Sequence, residues 1–105
     1  MEQEDRDFGR FAEPALLILV SLAAGPRHGY AIMEDARDLC GVRLGPGTLY
    51  AALARLERRG LIAPLDSADR RRPYRLTAAG AAALHEQLAT MQRLATAGLE
   101  RLGAQ

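Results

Sequence analysis

The chain has 105 residues, 49% of them hydrophobic, and one cysteine; that length suits one domain, that apolar fraction excludes wholesale disorder, and a lone Cys40 excludes an internal disulfide framework and fits a reducing compartment. The longest apolar run, residues 14–25, is too short to cross a bilayer and follows an acidic leader (Glu2, Glu4, Asp5, Asp7), the reverse of a signal peptide's basic start, so a cytoplasmic protein is expected. The net charge of +1 is unevenly spread: residues 1–26 balance at −3, whereas residues 43–76 hold eight Arg against three acids, a balance of +5 that points to a polyanionic partner.

In chain order, residues 1–10 are polar and expected to be flexible. Residues 11–24 repeat Leu16, Leu17, Leu19, Val20 and Ala23 at helical spacing, and Gly25-Pro26 ends the segment. A second helix is expected from near His28, with Ile32, Ala36, Leu39 and Cys40 as its apolar stripe and Gly41 as a left-handed cap. On that stripe Cys40 reads as a small buried residue, a redox-active thiol being the alternative. Pro46 suits the first turn of a third helix, where its missing N–H goes unused, and Gly60 stops that helix after Arg59. "LIAPL" is then a short strand, "DSADRR" a polar turn and "RPYRL" a returning strand, which Pro73 confines to a sheet edge. Thr77 caps a long helix rich in Ala, Leu and Gln. No internal repeat or linker divides the chain, and the fold class is mainly α with a small β-hairpin.

The third helix carries the chemistry. At 100° per residue Leu49, Ala52, Leu53 and Leu56 share one arc and are expected to face the core. Gly47, Tyr50, Ala51, Ala54, Arg55 and Arg58 fall on the other side. The small residues let the helix come close to a surface, the arginines reach out at its flanks, and the Tyr50 hydroxyl suits a phosphate. A DNA major groove admits such a helix. The competing reading is a solvated charged face, with Glu57 among the arginines. Arg70, Arg71 and Arg72 in the hairpin turn add a second basic cluster, and a helix-turn-helix puts its second helix in the groove.

In the last helix Leu84, Leu88, Met91, Ala95, Gly98 and Leu102 follow steps of 4, 3, 4, 3 and 4, the seam of two packed helices. The stripe either folds back on the body or meets a second chain. The first helix, with Leu16, Leu17, Leu19 and Val20, offers more apolar area than a small body is expected to hide, which favours a homodimer in which that helix packs on the partner's long helix. Ala95 and Gly98 leave room in the seam for a small aromatic or apolar effector.

Three stretches, "HGYAI" at 28–32, "GPGTLYAALARLERRGLI" at 45–62 and "RRRPYRLTAAG" at 70–80, resemble the PadR-type transcriptional regulators in order and spacing, over about residues 11–80. The resemblance implies a winged helix-turn-helix DNA-binding domain over residues 11–76, a C-terminal dimerisation helix over residues 77–105 as in the compact branch, and usually repression at a pseudo-palindromic operator. Carried over by position, it puts Gly47, Thr48 and Tyr50, flanked by Gly45, Pro46 and Ala51, at the entrance to the DNA groove. His28, Gly29 and Tyr30 fall at the start of the second helix, where backbone N–H groups hold a phosphate; Arg27 adds charge there, and Tyr74 follows the wing arginines. For His28 and Tyr30 the alternative is packing against the first helix. Two positions depart from the pattern: Gly45 replaces a frequent Ser and so loses a side-chain cap, and Pro73 replaces a strand former.

No enzyme is expected: His28, His85 and Cys40 form no regular motif, and no metal spacing, phosphate loop or nucleophile elbow appears, so neither metal nor cofactor is called for. A winged-helix protein-interaction module calls for an apolar or acidic third helix, and a MarR-like regulator for extra terminal helices. Neither fits as well as a double-stranded DNA binder. The family resemblance admits a phenolic acid, a cationic drug or no effector at all.

Overall fold

A computed structural model describes residues 13–67 and 71–105; the expected flexible N-terminus and Arg70 lie outside the described residues. The element order is α1 (Pro14–Ala23), α2 (Gly29–Cys40), α3 (Pro46–Arg58), β1 (Ile62–Pro64), β2 (Tyr74–Leu76) and α4 (Ala78–Gly103).

α1 is the central element. It packs against α2, α3, α4 and β2, and Leu16, Leu17, Ile18, Leu19 and Leu22 are all buried within the single chain. A helix apolar nearly all round belongs inside a fold rather than on its surface. This corrects the expectation that α1 holds spare apolar surface for a second chain: Leu16 and Leu19 are consumed by the protomer's own core, and only Val20, packed against that core, stays half-buried.

α2 begins after His28 and ends at Gly41, whose φ of 70° places it in the left-handed region and whose N–H donates to the Arg37 carbonyl at 2.8 Å. Ile32 and Ala36 reach the core, but Leu39 and Cys40 do not. The stripe continues in sequence into the final turn of α2, but there it meets solvent instead of the core. Cys40 is therefore exposed rather than buried, its thiol donating weakly to the Ala36 carbonyl at 3.5 Å.

β1 and β2 pair antiparallel, with Ile62 opposite Leu76, Ala63 opposite Arg75 and Pro64 opposite Tyr74. Pro64 has no N–H to donate, and Tyr74 does not need it. Both backbone groups of Tyr74 pair instead with Arg27, at 2.9 and 3.1 Å, on the opposite side of β2. Pro73 falls just before β2 and accepts the Leu65 N–H at 2.8 Å, after which the ladder ends. The wing is thus tied at Tyr74 to the connection between α1 and α2.

α4 is fixed at its start. The Thr77 hydroxyl accepts the Gly80 N–H at 3.0 Å, caps the helix, and donates to the Gly60 carbonyl at 2.7 Å, while the Thr77 N–H donates to the Leu61 carbonyl at 3.1 Å. Gly80 permits this approach: a Cβ there would collide with the Leu61 carbonyl oxygen and lie 2.9 Å from Leu76 Cδ1. Leu84 joins the core and Met91 packs against it; beyond Met91 the helix extends from the body, and the long axis is 58 Å against 30 and 23 Å.

Candidate nucleic-acid interface

α3 divides by face as its sequence requires. Leu49, Ala52, Leu53 and Leu56 are buried, none more than 2% exposed. Gly47, Thr48, Tyr50, Ala51, Ala54, Arg55 and Arg58 are exposed. Gly45 is the N-cap in extended conformation with no side-chain cap, its carbonyl accepting the Leu49 N–H at 2.9 Å, and Pro46 occupies the first turn. Among the described residues, nothing lies within 4 Å of where a Cβ on Gly45 or Gly47 would stand.

The three stretches singled out in the sequence converge on one cleft of about 240 Å³, lined by His28, Gly29 and Tyr30 from the start of α2, Tyr50 from α3, and Arg71, Arg72 and Tyr74 from the wing. Gly29 is the hinge of this arrangement. A Cβ on it would stand 2.8 Å from Tyr50 Oη and 3.1 Å from Leu49 Cδ2, so the bare backbone lets Tyr50 lie directly over the start of α2. Free N–H groups of a helix N-terminus, two guanidinium groups and three phenols thus share a concave surface, which suits an anion. His28 Nδ1 is buried and has no hydrogen-bond partner among the described residues. Burial raises the Tyr74 phenol above the ordinary tyrosine range, Glu57 adding to the effect and Arg72 opposing it. Tyr30 lines the cleft and is 58% exposed; His28 is half-buried.

Arg27 sits beside the cleft. Its neighbours His28 and Tyr74 line the cleft, while its guanidinium turns to Asp35 on α2, with 3.8 Å between Nη1 and Oδ2. Nothing in the sequence spacing flagged Asp35. Arg55 and Arg58 stand in the last turn of α3, outside the cleft, where they also face the negative end of the helix dipole.

On α4 the expected seam separates into two parts. Leu84 is buried in the protomer and offers nothing to a second chain, whereas Leu88, Met91, Ala95, Gly98 and Leu102 lie beyond it, Met91 touching the core. Leu94 and Leu99, which the strict seam omitted, are 69% and 71% exposed. On the helical wheel they flank the seam and widen it to about 140° at 100° per residue. Among the described residues no group of side chains could hold a metal ion, and no helix is long and apolar enough to cross a membrane.

Residues 18–86 match the profile of the transcriptional regulator PadR-like family. The chain is 47% identical over 85 residues to an uncharacterized 37.1 kDa protein in transposon TN4556 of Streptomyces fradiae, covering 81% of this chain and 25% of that protein. It is 31% identical over 101 residues to the transcriptional activator GvpE2 of Halobacterium salinarum, covering 95% of this chain and 51% of the relative. It therefore spans a quarter of the first relative and about half of the second. To the transcriptional regulator Rv3488 of Mycobacterium tuberculosis it is 39% identical over 103 residues, covering 95% and 92% of the two chains. Among solved structures, a PadR family transcription regulator from Clostridium difficile superposes with a TM-score of 0.76 at 26% identity, covering 85% of this chain and 97% of that one.

Proposed function

Because the chain belongs to the PadR-like family of transcriptional regulators, we propose that it binds duplex DNA sequence-specifically as a homodimer and represses transcription from a pseudo-palindromic operator. The observation that carries this reading is the continuity of the exposed α3 face with the cleft: a smooth helix surface ends at a concave anion-binding surface built from α2 and the wing.

In this reading Gly45, Pro46, Gly47, Thr48 and Ala51 let α3 enter the major groove, and Arg55 and Arg58 reach base edges or flanking phosphates. The cleft takes a backbone phosphate, held by the α2 N-terminus, Tyr50, Arg71 and Arg72, with Tyr30 and Tyr74 at its walls. Phosphate contacts fix the register, and α3 reads the sequence. Arg70 extends the wing's charge. Residues 11–76 form the DNA-binding unit and residues 77–105 the dimerisation helix. The stripe formed by Leu88, Met91, Ala95 and Leu102, with Leu94, Leu99 and Val20 beside it, is an apolar surface on an extended helix, and a second copy covering it would set two α3 helices about 34–36 Å apart. The small Ala95 and Gly98 leave space between protomers for a flat apolar effector, whose seating would change that spacing and release the operator. A dimer on an operator that overlaps a promoter excludes polymerase, which gives repression, and the protein works in the cytoplasm with the DNA.

The experiment is a mobility-shift titration of full-length protein on a duplex selected from genomic fragments. Arg71→Ala with Arg72→Ala should weaken all sequences alike and flatten the salt slope by about one unit per lost phosphate contact. Arg55→Ala should relax preference at one base pair at a cost of ~1–3 kcal/mol. Affinity and salt slope unchanged in both variants would overturn the docking.

A further inference from the structure

We infer that Asp35 is an internal competitor for the DNA phosphate, holding Arg27 away from the interface and so setting the affinity of the reading head; this rests on the DNA-binding function proposed above. The backbone of Arg27 is fixed by its two hydrogen bonds to Tyr74 at 2.9 and 3.1 Å. Only its side chain is free to choose a partner. The residues on either side of it in space, His28 along the chain and Tyr74 across the bridge, both line the anion-binding cleft. An extended arginine side chain rooted between them has the cleft within its reach, yet its guanidinium lies against the Asp35 carboxylate at 3.8 Å. Asp35 stands in the second turn of α2, where an aspartate contributes little to helix formation. It is half-buried, as is Arg27, so the attraction between them is less screened than that of a fully exposed pair.

The consequence follows from competition. A phosphate entering the cleft attracts Arg27 from one side while Asp35 attracts it from the other. The energy needed to break the ion pair is subtracted from binding. The pair is long and partly hydrated, so its grip is modest; it is a device for tuning affinity, not for abolishing it. Neutralising Asp35 frees Arg27 to add a phosphate contact, which tightens binding and steepens its salt dependence. Any lost acid near DNA also tightens binding through the long-range field. The neighbouring Asp38 is exposed on the same helix, and it serves as the measure of that general effect.

The test is fluorescence anisotropy of full-length protein with a labelled duplex of about 30 base pairs, long enough for two half-sites one turn apart, across a range of salt concentrations. Asp35→Asn should tighten binding about two- to five-fold and steepen the salt slope by up to about one unit. Asp38→Asn should do less, and the excess of the first over the second should vanish in an Arg27→Ala background. Where Arg27→Ala lowers the helical circular dichroism, Arg27→Gln, which keeps the side-chain stem, takes its place in the cycle. Equal tightening by the two Asn variants, or an excess that persists without the Arg27 guanidinium, overturns the competition while leaving DNA binding intact. A wild-type protein that fails to bind the duplex even at low salt overturns both.

Discussion

Replacing Gly80 with Ala should destabilise the protein, against the usual sign of that substitution in a helix. In an open helical position Ala is favoured over Gly by about 0.5–1 kcal/mol. At residue 80 the added methyl would collide with the Leu61 carbonyl oxygen and press on Leu76 Cδ1 at 2.9 Å. Because the obstacle is backbone, α4 itself must move. Movement of its first turn breaks the 2.7 Å bond from the Thr77 hydroxyl to Gly60 and the 3.1 Å bond from the Thr77 N–H to Leu61. At ~1 kcal/mol each, with further loss where Leu84 leaves the core, the cost is about 3 kcal/mol, or about 2 kcal/mol after the helix preference is subtracted. For a domain of this size that lowers the melting temperature by about 10 °C. Thermal melts followed by circular dichroism give the answer, with Gly47→Ala as the control. Gly47 is helical, exposed and clear of any neighbour within 4 Å, so the same substitution there should raise the midpoint. A Gly80→Ala protein as stable as wild type would refute the packing of α4 on the hairpin.

Gly47→Leu should keep the circular dichroism spectrum and lose specific DNA binding in a mobility shift, since a bulky group on the exposed start of α3 lifts the helix from the bases; unchanged binding would count against this face. Gly29→Ala should lower the melting temperature modestly, because Leu49 Cδ2 at 3.1 Å belongs to the packed core, and by displacing Tyr50, whose Oη lies at 2.8 Å, it should weaken binding several-fold in the same assay. Leu94→Glu with Leu99→Glu, both exposed in the protomer, should leave each protomer folded and yield monomers by sedimentation; a dimer that survives both charges would place the partner elsewhere. The raised Tyr74 pKa means that the folded state holds its phenolic proton to higher pH than the unfolded chain does. Stability should therefore be intact below the ordinary value of 10.0 and fall as pH rises through the folded value, a loss that Tyr74→Phe should reduce in urea titrations at alkaline pH.

How much the sequence disclosed depends on how each element packs. α3 was legible because it lies on the surface: one arc meets the core, the other meets solvent, and the wheel separates them. Thr77 and Gly41 were legible because caps are local chemistry. α1 was misread for the opposite reason. A helix surrounded on several sides has no periodic contrast, so its leucines looked like surplus surface when they were the centre of the fold. Leu39 and Cys40 keep the helical period but are exposed, and period alone does not say how far along a helix the core extends. The cleft joins residues 28–30, 50 and 71–74. The family motifs marked these residues, but only the tertiary contact of Gly29 with Tyr50 and the bridge from Arg27 to Tyr74 brought them to one place. Asp35 carries no motif at all, and its proximity to Arg27 depends on the turn between α1 and α2.

The most direct test of the account is an equilibrium titration of the full-length protein, at about 0.15 M salt, on the duplex enriched from genomic fragments and on a scrambled duplex of the same composition. A homodimer reading a pseudo-palindrome gives two protein chains per duplex and an affinity for the selected sequence at least about 10³-fold above that for the scrambled one. Equal affinity for the two duplexes, or binding by single chains, would contradict it.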